Sequence, residues 1–256
     1  MELEIKKISS LGQNNGAYEL NDNNSLYLVD NDVNIDVTSD SNILDLSNDS
    51  NINITINQNV NLKYYILKSK NSKRNFNVLG NLEIIEISFY KTTENLNVYL
   101  LNEFANFNCK CLSILEKNNA NYYIDVKHLK PNTFSNVLNT CVTLNGSHAK
   151  FDVSGKINKG MIKSKCSQKT RGIVMDDESE IIANPILLID EYDCFANHGA
   201  SIGKVNDEEL FYMMSRGLSK DDAVLLILSG MVNPFINEIP NEEYKKEIIN
   251  EVSKLI

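Results

Sequence analysis

The sequence predicts a mainly β protein that ends in a small helical unit. From about residue 50 to 200, apolar residues alternate with polar ones, as at Ile52, Ile54 and Ile56. Such alternation is typical of strands that bury one face. The strands recur at intervals of roughly 10–15 residues, and no helical period interrupts them. After Gly203 the apolar residues follow helical spacing instead.

Further strands are predicted at 96–100, 122–126, 142–144 and 151–153 by alternation, and at 82–89 by a dense β-branched run. Many short strands at even spacing are compatible with a sandwich, a barrel or a β-helix. Hairpin-built folds favour Asn-Gly turns, yet such pairs occur only at Asn15-Gly16 and Asn145-Gly146. This scarcity favours a solenoid, but no clean repeat is visible, so the three architectures stay open on pattern alone.

The pattern divides the chain into three parts. Residues 1–45 form an N-terminal segment that leads into the β-domain, with candidate strands at 3–9, 26–29 and 33–37. The β core is expected over 46–203 and the helical unit over 204–256.

Three helices are predicted in the helical unit. Asn206 and Ser219 are suited to cap the first two, and Gly217 and Gly230 are suited to end them. The third is expected to run from about Asn241 to the end. The first helix carries Leu210, Phe211 and Met214 on one side. The apolar stripes of the other two, expected to face a core, are Ala223, Leu226 and Ile227, and Tyr244, Ile248, Val252 and Leu255.

Composition excludes several classes of protein. The 256 residues are 42% apolar and carry a net charge of −9. An acidic chain is a poor partner for nucleic acid, whose phosphates attract clustered Lys and Arg. The N-terminus lacks a secretory signal, and no run approaches the roughly 20 apolar residues of a membrane helix. We therefore expect a cytoplasmic protein with no membrane contact.

The five cysteines are an odd number in a chain without an export signal, so we expect them to stay reduced. Asparagine is unusually abundant, most of all in the first 150 residues. Its abundance has two explanations that stay open: an AT-rich genome, or amide ladders between stacked strands, since Asn also tolerates left-handed turns.

Catalytic motifs are absent from the sequence. Gly155-Lys156 is followed by Ile157 and has no glycine five residues earlier, so it is not a phosphate-binding loop. No Gly-x-Ser-x-Gly nucleophile elbow occurs. Any nucleotide hydrolysis must therefore be supplied by another protein, and we expect this chain not to be an enzyme.

A series of short elements in the second half is more specific. A His-x-x-Pro-x-Thr-x-Ser element at 128–135 is followed by Gly155-Lys156-Ile157, which we interpret as a turn, and by Gln168. A Pro-x-Leu-x-Ile strand follows at 185–189, then His-Gly-Ala-Ser-Ile-Gly at 198–203 and an aromatic helix at 210–218 that contains Ser-Arg-Gly-Leu. In order and spacing, these elements resemble the SufB/SufD family of iron–sulfur cluster assembly scaffolds.

The resemblance implies a right-handed parallel β-helix (solenoid) followed by a small C-terminal helical unit. It also implies a non-catalytic scaffold that pairs through its β-helix, with a SufB-like subunit or with a second copy of itself. The helical unit would bind a SufC-type ATPase, with Phe211, Tyr212, Arg216 and Gly217 as the docking residues. No tightly bound cofactor is implied, only a transient iron–sulfur cluster at an interface.

Two positions favour the SufD branch. The cysteine that takes part in cluster assembly in SufB aligns with Ser179, and the Glu that tends to follow the histidine in SufB is Gly199 here. The family's usual N-terminal helical region has no counterpart in the sequence, which would make this a compact member. Two alternatives stay open: a SufB-like homodimeric scaffold in a two-component system, and a cytoplasmic β-solenoid enzyme acting on carbohydrate.

His198 is the main candidate for contact with a cluster, because imidazole suits iron and Gly199 removes bulk beside it. Weaker candidates for a cluster or a metal are Cys194 and the pair Cys109 and Cys111, whose spacing places both thiols on one face of a strand. Burial in the β core explains these three cysteines equally well. Cys194 and His198 would lie roughly 13 Å apart on an extended strand, too far to share one metal.

Overall fold

The computed structural model describes residues 3–14, 16–68, 70–205 and 207–254. Strands dominate these residues, and three helices follow. The strands of the N-terminal half are β1 (Glu4–Lys7), β2 (Gln13–Asn14), β3 (Ala17–Leu20), β4 (Ser25–Val29), β5 (Val33–Val37), β6 (Ser41–Asp45), β7 (Asn51–Ile56), β8 (Asn61–Leu67), β9 (Lys73–Val78), β10 (Asn81–Ser88) and β11 (Thr92–Leu100). Those of the C-terminal half are β12 (Asn106–Glu116), β13 (Asn119–His128), β14 (Phe134–Leu144), β15 (His148–Ile157), β16 (Lys165–Val174), β17 (Glu180–Ile189) and β18 (Phe195–Lys204).

The strands form two sheets of nine. Sheet A has the order β1-β4-β6-β8-β10-β12-β14-β16-β18, and sheet B has the order β17-β15-β13-β11-β9-β7-β5-β3-β2. From β3 onward, successive strands alternate between the sheets, and from β4 onward each pairs in parallel with the strand of the coil before it, whereas β2 and β3 pair antiparallel. This is a two-sheet parallel β-helix, so the predicted fold class is confirmed. Six of the strands lie within residues 4–45 and belong to the same two sheets.

The coils of the solenoid widen along the chain. Leu26 pairs with Asn42 in the next coil, 16 residues later, whereas Phe134 pairs with Lys165, 31 residues later. The strands lengthen in step, from five residues in β4 to ten or eleven from β12 onward. Because coil length varies, from 16 residues between Leu26 and Asn42 to 32 between His148 and Glu180, the sequence has no constant period, and this is why no repeat is visible in it.

The interior of the solenoid is filled by alternate residues of both sheets, including Ile54, Phe76, Val98, Phe107 and Phe151, all essentially inaccessible to solvent. Parallel in-register pairing stacks each such position on the equivalent position of the next coil. The alternation seen in the sequence is therefore the alternation between interior and exterior.

Asparagines form a ladder on the outer face of sheet B. The side-chain amide of Asn53 donates to Asn34 at 2.9 Å, that of Asn75 donates to Asn53 at 2.9 Å, and that of Asn97 donates to Asn75 at 3.0 Å. The four residues are paired in register on adjacent strands. The proposed amide ladder is therefore present in the structure.

The three helices are α1 (Asp207–Ser215), α2 (Lys220–Ile236) and α3 (Glu242–Ser253). Ser219 caps α2 by accepting from the backbone N–H of Asp222 at 3.1 Å. Asn241 caps α3 by accepting from the N–H groups of Glu243 and Tyr244. The predicted Ser219 cap and the predicted start of the third helix near Asn241 are confirmed, whereas the capping role of Asn241 is seen only in the structure. The predicted cap Asn206 and the apolar position Leu255 lie outside the described residues.

Helices α2 and α3 fold back onto the outer face of sheet A and form a second apolar core. Val232, Phe235 and Ile236 of α2 and Ile248 and Val252 of α3 are buried there. They cover strand residues that include Leu44, Leu67, Ile85, Leu112 and Val142. Two ion pairs link the helical unit to the solenoid. Lys68 pairs with Glu247 at 2.5 Å, and Lys110 pairs with Glu238 at 2.6 Å.

The sequence-based prediction for α2 was wrong in two respects. The helix does not stop at Gly230 but continues through Pro234 to Ile236. A glycine and a proline inside a helix cost about 1 and 3 kcal/mol, but burying Val232, Phe235 and Ile236 is worth roughly 1.5–3 kcal/mol for each side chain. Leu226, expected on the buried face, is more than half exposed.

None of the helices in the described part of the chain is long and apolar enough to cross a bilayer.

Candidate functional site

The C-terminal end of the solenoid is open. Among the described strands, β17 is the last of sheet B and β18 the last of sheet A, and each has an unpaired edge. Edge strands are ready to pair with another chain unless they are blocked. Large apolar side chains are exposed on these two strands, namely Ile182, Ile186, Leu188, Phe195 and Ile202. An exposed apolar cluster beside two free edges marks this end as an interaction surface.

His198 lies at the mouth of this open end. It pairs in register with Gln168 on β16, which pairs with Val137 on β14 and through it with Cys109 on β12. Gln168, Val137 and Cys109 are buried in the interior, so His198 occupies the interior-facing row of the last strand. Because no further coil covers it, the imidazole is exposed. Within the described residues it forms no hydrogen bond or ion pair, so it is available to a ligand or a partner.

The predicted cysteine candidates do not gather around His198. Cys109 and Cys111 are completely buried, and burial raises the pKa of both thiols, as does the nearby carboxyl of Glu86 to a smaller extent. Cys109 lies three strand spacings from His198, or about 14 Å. Cys194 is half-buried in the turn before β18, and its Sγ donates to the carbonyl of Glu191 at 3.1 Å.

Within the described residues, no group of three or more His, Cys, Asp or Glu side chains is arranged to hold a metal ion.

His128 has a local structural role. His128 is buried between the hydroxyls of Thr133, 2.8 Å from Nδ1, and Ser135, 2.9 Å from Nε2. Burial lowers the pKa of His128 from 6.5 to about 4, so the ring is neutral at physiological pH. His128 is the last residue of β13, and these hydrogen bonds join it to the turn and the strand that follow.

Ser179 closes the turn before β17. Its hydroxyl accepts from the N–H groups of Gly146 and Ser147, both at 3.1 Å, and donates to Asp176 at 3.0 Å. A cysteine here would be a much weaker hydrogen-bonding group. The Ser179 side chain is therefore committed to the backbone of a turn.

Gly155 was expected in a turn, but it lies inside β15. A Cβ built on it would come within 2.4 Å of Cys166 Sγ and 2.8 Å of Gln168 Nε2. Such approaches are too short for a real side chain, so glycine is needed for the two sheets to pack beneath His198. The motif glycine therefore has a packing role.

Helix α1 presents the predicted docking residues to solvent. Phe211 is 72% and Tyr212 58% exposed. Arg216 lies over the ring of Tyr212, 5.2 Å from its centroid, and donates to its hydroxyl at 3.1 Å. Gly217 adopts a φ of +97°, which other residues rarely tolerate, and it ends the helix as predicted. The aromatic residues are thus held outward by the helix.

A groove of about 410 Å³ separates α1 from α2 beside these aromatic residues. Tyr212, Met213, Leu226 and Ile227 line it, with Glu208 and Glu209 at its rim. Large exposed aromatic and aliphatic side chains around a groove are typical of protein interfaces. Leu226, whose exposure contradicted the expected core position, contributes to this surface instead.

A buried charged cluster in the interior was not anticipated from the sequence. Arg74 forms ion pairs with Asp45 and Glu94, and Tyr64 donates to Asp45 at 2.6 Å. Glu86 is also buried, and desolvation, with the Glu94 charge, raises its pKa to about 8. Of these residues only Glu86 lies in a strand predicted from the sequence, and alternation alone does not distinguish a charge in the interior from a solvated one.

The fold is a two-sheet parallel β-helix with an open C-terminal end and an appended helical unit. Residues 19–231 match the family model described as "SUF system FeS cluster assembly, SufBD core domain". The match covers most of the chain, so the protein belongs to this family of SUF-system iron–sulfur cluster assembly proteins.

Individual relatives place the chain on the SufD side of the family. It is 33% identical over 136 residues to the iron–sulfur cluster assembly protein SufD of Bacillus subtilis, an alignment covering 53% of this chain and 31% of that protein. It is 36% identical over 115 residues to a SufBD family protein of Mycobacterium bovis, covering 45% of this chain and 14% of the relative. To SufB of Bacillus subtilis it is 29% identical over 115 residues, covering 45% of this chain and 25% of the relative.

The protein is therefore SufD-like. These alignments span less than a third of each of these three curated relatives.

Proposed function

We propose that this protein is a non-catalytic scaffold subunit of a SUF-type iron–sulfur cluster assembly complex. In this proposal it pairs through the open end of its β-helix and docks a SufC-type ATPase through α1. The observation that carries the proposal is the arrangement of two separate exposed surfaces, one at β17 and β18 and the other on α1. A scaffold of this kind needs one surface for its pairing partner and another for the ATPase.

Pairing is supported by the free edges of β17 and β18. A partner strand laid against either edge would satisfy backbone groups and cover the exposed apolar side chains. The partner is a SufB-like subunit, with a second copy of this chain as the alternative. Sedimentation of the protein alone and with the SufB of the same organism distinguishes the two.

Ile186→Lys should disrupt pairing because it places a charge in the middle of β17. Ile162→Lys is the matched control, since Ile162 is similarly exposed but lies in a turn. Equal assembly by the wild type and the Ile186 variant would remove β17 from the interface.

Docking of the ATPase is supported by the exposed aromatic side chains of α1 and the adjacent groove. Phe211→Ala and Arg216→Ala are expected to weaken retention of the SufC-type ATPase in co-purification, by roughly tenfold or more for a central aromatic anchor. Phe104→Ala is the matched control, because Phe104 is equally exposed but lies on the side of the solenoid. If wild-type protein fails to retain the ATPase, the docking proposal is wrong.

A transient iron–sulfur cluster at the pairing interface is the proposed cargo, with His198 as this chain's contribution. Imidazole nitrogen is an accepted iron ligand, and His198 lies where a partner would meet the solenoid. Anaerobic reconstitution of the complex with His198→Ala should lower the cluster yield, whereas His148→Ala, an exposed histidine on β15, should not. Equal yields from the wild type and His198→Ala would exclude this residue from assembly.

A further inference from the structure

A second groove, distinct from the pairing and docking surfaces, lies between α2 and the outer face of the last strands of sheet A. Its volume is about 490 Å³, within the range of small-molecule sites. Its floor and walls are largely apolar and are formed by Leu138, Ile173, Met231, Pro234 and Phe235. The hydroxyls of Thr140 and Ser201 and the guanidinium of Arg171 also line it.

The groove carries an unbalanced positive charge. Arg171 on β16 pairs in register with Thr140 on one side and Ser201 on the other, and Lys169 pairs with Leu138 and Gly199. All four neighbours are uncharged. Within the described residues, neither cation forms an ion pair or a hydrogen bond. Arg171 lines the groove, and Lys169 lies two residues before it on the same face of β16 without lining the groove. In a chain of net charge −9, these two cations, whose in-register neighbours are uncharged, form a local site for an anion.

Gly230 is the second unusual feature of the groove. It lies inside α2, where glycine costs about 1 kcal/mol relative to alanine. A Cβ built on it would meet no atom within 4 Å, so packing within this chain does not require glycine. The missing side chain leaves the helix backbone open to close approach by a ligand lying in the groove.

We propose that this groove binds a small organic anion with an apolar body. The apolar body would lie along Leu138, Ile173 and Phe235, and the anionic head would accept hydrogen bonds from Arg171. The hydroxyls of Thr140 and Ser201 flank Arg171 on the neighbouring strands and can donate to the same head. Charge-assisted hydrogen bonds to a guanidinium are among the stronger polar contacts available to such a ligand.

The test compares octanoate with 1-octanol, which has the same chain length and no charge. In NMR titrations of the full chain, octanoate is expected to shift the backbone amides of Gly172, Ser201 and Gly230 saturably. It is expected to bind about tenfold more tightly than 1-octanol, since one charge-assisted contact is worth about that factor. Equal affinity for the two compounds, or shifts confined to residues outside the groove, would overturn the proposal.

Three variants locate the binding. Arg171→Gln should reduce octanoate affinity to the level of 1-octanol, and Gly230→Leu should abolish binding of both by filling the groove. Gly230→Leu is expected to fold, because leucine is a better helix former than glycine. A cooperative thermal unfolding transition checks that this variant is folded. Lys73→Gln, on the outer face of sheet B, is the control and should bind as the wild type does. Unchanged octanoate binding by either groove variant would contradict the site.

Discussion

Arg74 donates a hydrogen bond from Nε to Asp45 Oδ2 across 2.7 Å, and both side chains are almost completely shielded from solvent. Arg74 belongs to β9 of sheet B and Asp45 to β6 of sheet A, so the pair joins the two sheets through the interior. Glu94 also pairs with Arg74, and Tyr64 donates to Asp45. A single guanidinium thus compensates two carboxylates in a region where an unpaired charge is costly.

Replacing Arg74 with leucine should destabilise the protein by about 3–5 kcal/mol, because the two carboxylates would remain buried without a cation. The free energy of unfolding in urea measures this loss. Lys150→Leu removes an exposed pair with Asp152 at 2.8 Å and should cost less than about 1 kcal/mol. Similar losses for both variants would show that the buried cluster tolerates an unpaired charge.

Glu86 should make stability fall as the pH rises. Burial, followed by the Glu94 charge, raises its pKa from 4.5 to about 8, an effect that Arg74 partly offsets. Asp45 and the Cys111 thiol face the same region. Because the folded state holds the proton more tightly than the unfolded chain, its contribution is complete below about pH 4.5 and is lost as the pH approaches 8.

As the pH rises from about 4.5 to 8, the free energy of unfolding should fall less for Glu86→Gln than for the wild type. The difference between the two losses should reach a few kcal/mol at pH 8. Urea unfolding at several pH values measures it. Glu103→Gln, at an exposed turn, is the control and should follow the wild type. Parallel pH profiles for the wild type and the Glu86 variant would mean that the carboxyl ionises freely in the folded state.

The asparagine ladder should contribute measurably to stability. Asn75 donates to Asn53 and accepts from Asn97, so Asn75→Ala removes two side-chain hydrogen bonds at once. The expected cost is about 1 kcal/mol, since exposed bonds are partly replaced by water. Asn95 is a suitable control because it lies on β11 of the same sheet and its amide forms no side-chain hydrogen bond within the described residues. Equal costs for the two alanine variants would assign the effect to strand propensity.

Gly155→Ala should destabilise the protein by about 1–3 kcal/mol through overpacking, since its new methyl group would meet Cys166 Sγ and Gln168 Nε2. Thermal unfolding measures the change. Adding Cys166→Ala should restore part of the loss by removing the nearer atom. If the double variant loses the full sum of the two single effects, contact between these side chains is not the cause.

Much of the local structure was predictable from the sequence because it depends on neighbouring residues. Alternation identified strands such as Asn51–Ile56, the hydroxyl of Ser219 marked the start of α2, and the helical period of the apolar residues located α3. Widening of the coils was not predictable, because coil length is defined only by which strands pair.

The course of α2 also depended on distant contacts. Gly230 and Pro234 are local signals for the end of a helix, but the outer face of sheet A supplies apolar surface that outweighs them. For the same reason, Leu226 could not be recognised as exposed from the helical period alone. It lies on the side of α2 that faces α1 rather than the sheet.

The sequence by itself determined the strand pattern, the caps and, through the order of its motifs, the membership of the SufBD family. Tertiary structure alone decided which side chains share a site. Cys109 and His198 lie on one interior row yet about 14 Å apart, and Arg171 lies beside Gly230 from a helix nearly 60 residues later in the chain. These distances depend on coil stacking and on burial of α2 against sheet A, which are interactions between residues far apart in sequence.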